Sequence, residues 1–203
     1  MHKLTALILA LMLAISQRLA CAASPPAQPK SGPGGSDYAH LSVQATKHGA
    51  DAAGYWIFEP AHPRPNSAPV IVFNHGFGAS DPRSYGAWIS HLVRKGNAVI
   101  YPIYQHEDKF RYPPSEITSN AIEAVKQALQ KLNGTEHIKG ELGKFAVVGH
   151  SAGGQISANM AATWKEAGLP QPKAVMCVEP GKSWNAMPHR RRHFASGGGW
   201  RGG

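Results

Sequence analysis

The sequence predicts an α/β fold: a three-layer sandwich around a mainly parallel sheet. Three observations carry this. Residues 70–73 (VIVF), 98–101 (AVIY), 145–148 (FAVV) and 174–178 (AVMCV) are short continuous apolar runs, as expected of strands buried on both faces. Between them, apolar residues recur at helical spacing. Strand and helix alternate along the chain, the order that gives parallel pairing through crossovers. With 203 residues, 42% of them hydrophobic and 16% charged, the chain is long enough for one domain with a core. This composition excludes a coiled coil, a collagen and a fully disordered chain. Two cysteines exclude a disulfide-rich scaffold.

The elements follow in order. Residues 55–58 (YWIF) predict an early strand ended by Pro60, and three prolines between Pro63 and Pro69 predict a loop. After the strand at 70–73, Trp88, Ile89, Leu92 and Val93 share a helical face, with Gly96 as its C-terminal cap. The strand at 98–101 comes next. Ala121, Ile122, Val125, Ala128, Leu129 and Leu132 mark a helix from near Ser119 to Gly134, with Lys126 and Lys131 toward its negative end. The strand at 145–148 leads into a helix marked by Ile156, Met160 and Trp164 and closed by Gly168. The strand at 174–178 is the last. With no strand predicted after it, it is expected to form an uncovered edge prone to aggregation.

The formal net charge of +9 suggests an acidic partner until it is located. Residues 182–203 hold five bases and no acid, and residues 1–30 hold Lys3, Arg18 and Lys30 and no acid. Residues 31–181 hold 13 bases and 12 acids, a net of +1. The body is nearly neutral, so no nucleic-acid partner is expected.

Each end has its own reading. Lys3, an apolar run from Leu4 to Ile15 interrupted only by Thr5, and Ala20-Cys21-Ala22 predict a secretory signal peptide over 1–22. The run is too short to span a bilayer as a helix, so no stable membrane insertion is expected once the peptide is cleaved. Cys21 also raises a lipoprotein reading, which Arg18 disfavours. Export implies a secreted or periplasmic protein, with Cys177 left as its single cysteine. Residues 23–49, rich in Pro, Gly and Ser over 24–36, are expected to be a flexible lead-in to a domain at 50–181. Segment 182–203 contains no Val, Ile or Leu and carries Arg190-Arg191-Arg192 and a glycine-rich end. It reads as a basic RNA-binding or membrane-binding tail, or as sequence foreign to the fold, from a frameshift or misassembled gene. Its abrupt onset straight after a strand favours the second.

Ligands of parallel sheets bind at the carboxyl ends of the strands, so chemistry is sought there. The strand at 145–148 runs into Gly149-His150-Ser151-Ala152-Gly153, followed by a helix. G-x-S-x-G between strand and helix is a nucleophile elbow, with the serine on a tight turn and its Oγ above the sheet. Gly149 and Gly153 are required where strand and helix pass closely. The helix N-terminus brings the Ala152 N–H beside Ser151 as an oxyanion donor. The strand at 70–73 ends in Asn74-His75-Gly76-Phe77-Gly78, where the Phe77 N–H is the second donor candidate. Two such donors are worth roughly 3 kcal/mol or more each.

With these two motifs in this order, residues 50–181 resemble the α/β-hydrolase superfamily, lacking its last strands. The chain is most similar to a secreted bacterial esterase branch that includes dienelactone-hydrolase-like, acetylhydrolase-like and polyester-hydrolase-like enzymes. The resemblance implies Ser151 as nucleophile, Phe77 and Ala152 as oxyanion hole, a small-molecule or polymeric ester as substrate, and no cofactor or metal. It implies an acid and then a histidine after the elbow. Glu179 at a strand end is a weak candidate for the acid. His189 and His193, among arginines and without a strand, are weaker candidates for the base. His150 is expected to be a structural or pocket-rim residue, and His106-Glu107-Asp108 a solvated loop. A peptidase or acyltransferase on the same fold stays open. A dehalogenase is excluded, because it needs Asp where Ser151 stands. The alternative is a truncated, catalytically inactive chain without a working acid and histidine.

Overall fold

A computed structural model of the chain describes residues 25–105 and 116–181. The expected signal peptide, His106-Glu107-Asp108, His189, His193 and the basic tail lie outside the described residues. The chain divides into two compact units after Asp37. In the first, the described residues form turns, with Ser36 N–H on the Pro29 carbonyl and Gly35 N–H on the Gly32 carbonyl, both at 2.9 Å.

The second unit is built on six strands: β1 (Ser42–His48), β2 (Tyr55–Ala61), β3 (Ser67–Asn74), β4 (Ala98–Pro102), β5 (Lys139–His150) and β6 (Ala174–Val178). Three helices accompany them: α1 (Gly86–Arg94), α2 (Ile117–Lys131) and α3 (Ala152–Thr163). The sheet order is β1-β2-β4-β3-β5-β6, parallel from β4 to β6, with β2 antiparallel to both neighbours. Successive strand residues face opposite sides. Val70, Val72, Ile100, Phe145 and Val147 pack with Val125 of α2 and Ile156 of α3. Phe58, Phe73, Val99, Tyr101 and Val148 pack with Ile89 and Val93 of α1. Helices thus cover both faces and make three layers. Each fully buried Val, Ile or Phe contributes roughly 1.5–3 kcal/mol through removal from water.

Three expectations are corrected. The lead-in over 23–49 ends in a strand, β1. Its residues are small or polar, so hydrophobicity does not reveal it; it forms by backbone pairing along the whole of β2. Pro60 does not end β2, which runs to Ala61. β4 pairs β2 only as far as Phe58, so Pro60 removes no ladder bond on that side. β5 begins at Lys139 rather than at 145; its register against β3 shifts between Pro69, opposite Glu141, and Val70, opposite Phe145. At the other border of the described sheet β6 is exposed, with Val175 at 46% and Met176 at 55% of full accessibility.

Candidate active site

The turn from β5 into α3 forces Ser151 into the left-handed region, at φ 54° and ψ −121°. A non-glycine residue there costs of order 1–3 kcal/mol and persists only where the surroundings impose it. The imposition is steric. A Cβ on Gly149 would lie 2.1 Å from the Gly153 carbonyl oxygen, and one on Gly153 would lie 2.0 Å from the Asn74 carbonyl oxygen. Strand, helix and the end of β3 therefore meet backbone to backbone around the serine. The Ser151 N–H donates to the Val178 carbonyl at 3.0 Å, and its carbonyl accepts from Gly154 at 2.9 Å and Gly181 at 3.1 Å. Ala152 opens α3, so its N–H is one of the first four without an intrahelical acceptor, at the positive end of the helix dipole.

The loop after β3 is strapped down from several sides. Asn74 Nδ2 donates to Ser157 Oγ of α3 at 2.9 Å. The buried His75 ring stacks on Tyr104 at 4.0 Å and on Tyr101 at 5.2 Å, and its Nδ1 donates to the Gly76 carbonyl at 2.7 Å. Burial pushes the His75 pKa down to about 4 against the upward pull of the Gly76 and Ile103 carbonyls, so the ring is neutral near pH 7. Tyr104 donates to the His75 carbonyl and Tyr101 to the Ala79 carbonyl; burial raises both phenol pKa values. Gly76 N–H donates to the Tyr85 hydroxyl at 2.9 Å, and Gly78 N–H donates to Gln105 Oε1 at 2.8 Å. Phe77 sits between these two held groups. Gly76 also abuts the elbow: a Cβ there would lie 3.6 Å from Ser151 Cβ.

The fold thus brings Ser151, Ala152, Phe77, Gly149 and Gly153 to one place at the carboxyl ends of β3 and β5. Glu179 follows β6 at φ 43° with its side chain 86% exposed, and its Oε2 is 3.9 Å from His150 Nε2. No side chain among the described residues hydrogen-bonds Ser151 Oγ, and no group of three His, Cys, Asp or Glu among them could hold a metal ion. No described helix is long and apolar enough to cross a membrane.

A cavity of about 700 Å³ lies beyond the loop, over β1 and β2, lined by Trp56, Phe58, Arg83, Ile89 and Gln105 among others. Ser151 is not among the residues that line it. Tyr85, Gln105, Tyr101 and Tyr104, which hold the loop, belong to no sequence motif.

The chain matches a model of the alpha/beta hydrolase fold over residues 71–199, past the point where the sequence placed the end of the domain. No curated protein matches it in sequence. Among solved structures it is similar to an esterase from the fungus Rhizomucor miehei, with 24% identity and a TM-score of 0.55 over 70% of this chain and 46% of that one. It is similar to carboxyl esterase 2 from the fungus Tuber melanosporum, with 23% identity and a TM-score of 0.51 over 82% of this chain and 55% of that one. It also resembles an HSL homologue from a metagenome library, with 18% identity and a TM-score of 0.50 over 68% and 46% of the two chains. The chain spans about half the length of these structures. The sheet, its layers and the family match agree: the chain belongs to the alpha/beta hydrolase fold family.

Proposed function

We propose that the chain carries the nucleophile and oxyanion hole of a serine hydrolase that cleaves carboxylic esters. The observation that carries this is Ser151 at φ 54° on a strand-to-helix turn, beside a loop strapped against it. In this reading Ser151 Oγ attacks the acyl carbon, and the N–H groups of Ala152 and Phe77 take the negative charge of the carbonyl oxygen. The serine proton passes to the departing alcohol, leaving an acyl-enzyme. Water then attacks the acyl carbon, the carboxylic acid leaves and Ser151 regains its proton. The solved structures it resembles include esterases, which supports an ester as substrate, either a small molecule or a polymer. The apolar run at 4–15 supports export to the periplasm or beyond, and a place in the secreted bacterial esterase branch.

One observation favours a second reading, a chain without catalytic activity. Glu179, the acid candidate, is turned to solvent and toward His150, and no described histidine bonds Ser151 Oγ. Reaction with a fluorophosphonate and hydrolysis of a p-nitrophenyl ester decide between them. Labelling and turnover that vanish in Ser151→Ala support the hydrolase. A folded chain that neither labels nor turns over supports the inactive reading.

A further inference from the structure

His150 and Tyr85 lie 65 positions apart, and no motif pairs them. The structure joins them at the site: the Tyr85 hydroxyl is 2.9 Å from His150 Nδ1 and 2.9 Å from the Gly76 nitrogen. We infer that Tyr85 and His150 are positioning residues that lock the oxyanion loop to the nucleophile elbow. This inference rests on the ester-hydrolase reading of Ser151.

Donor counting gives the lock its direction. Gly76 offers only an N–H here, so the Tyr85 oxygen must accept from it. The hydroxyl proton is then available for a second bond, and His150 Nδ1 is the remaining partner. Tyr85 therefore donates to Nδ1. Nδ1 carries no proton, and the neutral ring holds its proton on Nε2, the nitrogen that faces Glu179 Oε2 at 3.9 Å. The opposite arrangement, with a proton on Nδ1, would leave the Tyr85 hydroxyl proton without a partner among the described residues. The ring of Tyr85 is held independently, with its centroid 5.0 Å from that of Phe73 and 6.4 Å from that of Tyr101.

The lock acts on the reacting geometry because its two ends are adjacent to it. His150 precedes the nucleophile, and Gly76 precedes the donor candidate Phe77. A Cβ on Gly76 would meet Tyr85 Oη at 3.0 Å, His150 Nδ1 at 3.3 Å and Ser151 Cβ at 3.6 Å, so all four groups share one contact. On the far side of Phe77, Gln105 holds the Gly78 N–H. The loop is tied on both sides of the donor, and one tie is anchored to the elbow. This also excludes His150 as general base at Ser151: its Nδ1 is taken by Tyr85 and its Nε2 faces Glu179.

The test uses the full 203-residue chain. Nitrogen-15 NMR reads the His150 tautomer directly, and the wild-type ring is expected to be protonated at Nε2 alone. Tyr85→Phe, which keeps the ring and loses the hydroxyl, is expected to shift that tautomer toward a mixture. It is expected to slow fluorophosphonate inactivation about tenfold in the maximal rate, with little change in the half-saturating probe concentration. His150→Phe is expected to lose a similar factor, and His150→Asn, whose Oδ1 can take the place of Nδ1 as acceptor, to restore most of it. A wild-type ring protonated at Nδ1 overturns the inference. So does a Tyr85→Phe chain, or a His150→Phe chain, that reacts at the wild-type rate. A wild-type chain inert to the probe overturns the ester-hydrolase reading instead; the tautomer then decides alone whether the lock exists.

Discussion

The two ends of the sheet treat buried polar groups differently. At the amino ends of the parallel strands, Glu59 of β2 is fully buried, yet every demand of its carboxylate is met. It accepts from the Ile138 N–H at 2.6 Å and from His137 Nδ1 at 2.8 Å, with the Arg64 guanidinium at 3.7 Å. At the carboxyl ends, Ser151 is held in the left-handed region, His75 is buried and neutral, and Asn74 Oδ1 has no hydrogen-bond partner among the described residues. One end is built for stability. The other spends side-chain hydrogen bonds on holding loop backbone in a chosen shape. Unfavourable backbone and polar features such as these persist only where the rest of the fold offsets them.

The sharpest break of this comparison is at Gly153. Alanine there places a methyl 2.0 Å from the Asn74 oxygen, with backbone on both sides unable to yield. The chain is expected to lose about 4 kcal/mol or more of stability, read by urea denaturation or by loss of soluble protein. Gly86→Ala is the control: nothing lies within 4 Å of its Cβ position at the start of α1, so a gain of up to about 1 kcal/mol is expected.

Glu59→Ala breaks the opposite end. It leaves the Ile138 N–H and His137 without their buried partner, at a cost of about 3 kcal/mol. Whatever fluorophosphonate reactivity the wild-type chain has at Ser151 should persist in the folded fraction. Loss of labelling in a folded Glu59→Ala chain would refute the division of labour between the two ends.

His75 gives a pH dependence. Folding lowers its pKa from 6.5 to about 4, so the unfolded chain binds the proton more tightly. The stability is therefore fully present above pH 6.5 and falls as pH drops toward 4, by about 3 kcal/mol in all. Urea midpoints of the wild type and His75→Asn over that range should converge as pH falls, since the variant lacks this proton uptake.

The smallest effect is expected at Ser151 itself. Its Oγ makes no hydrogen bond with any described side chain. Ser151→Ala should therefore change stability by no more than about 0.5 kcal/mol while abolishing any labelling. A larger destabilisation would show that the hydroxyl supports the fold.

Legibility in the sequence followed the range of the interaction. The strands around 70–73, 98–101, 145–148 and 174–178 were visible because both of their faces are apolar or covered by backbone. β1 was not, since Ser42, Gln44, Thr46 and Lys47 carry little hydrophobic signal and only pairing with β2 makes them a strand. The first half of β5 was hidden in the same way by Lys139, Glu141 and Lys144. Gly149 and Gly153 were legible at the elbow because their crowding arises within a five-residue turn and its own helix. Tyr85, Gln105, Glu59 and His137 were not, because their partners lie 9 to 79 positions away and nothing local marks them.

What the sequence determined by itself is the α/β order and the strained turn at Ser151, because hydrophobic periodicity and glycine placement are local constraints that any fold of this chain must satisfy. Only the tertiary structure decided how that turn is held: by a tyrosine hydroxyl shared between Gly76 and His150, a histidine buried between two tyrosine rings, and Gln105 on the Gly78 N–H. Those bonds join groups on different strands and helices. Their donors and acceptors become partners only when the sheet brings the ends of β3, β4 and β5 side by side.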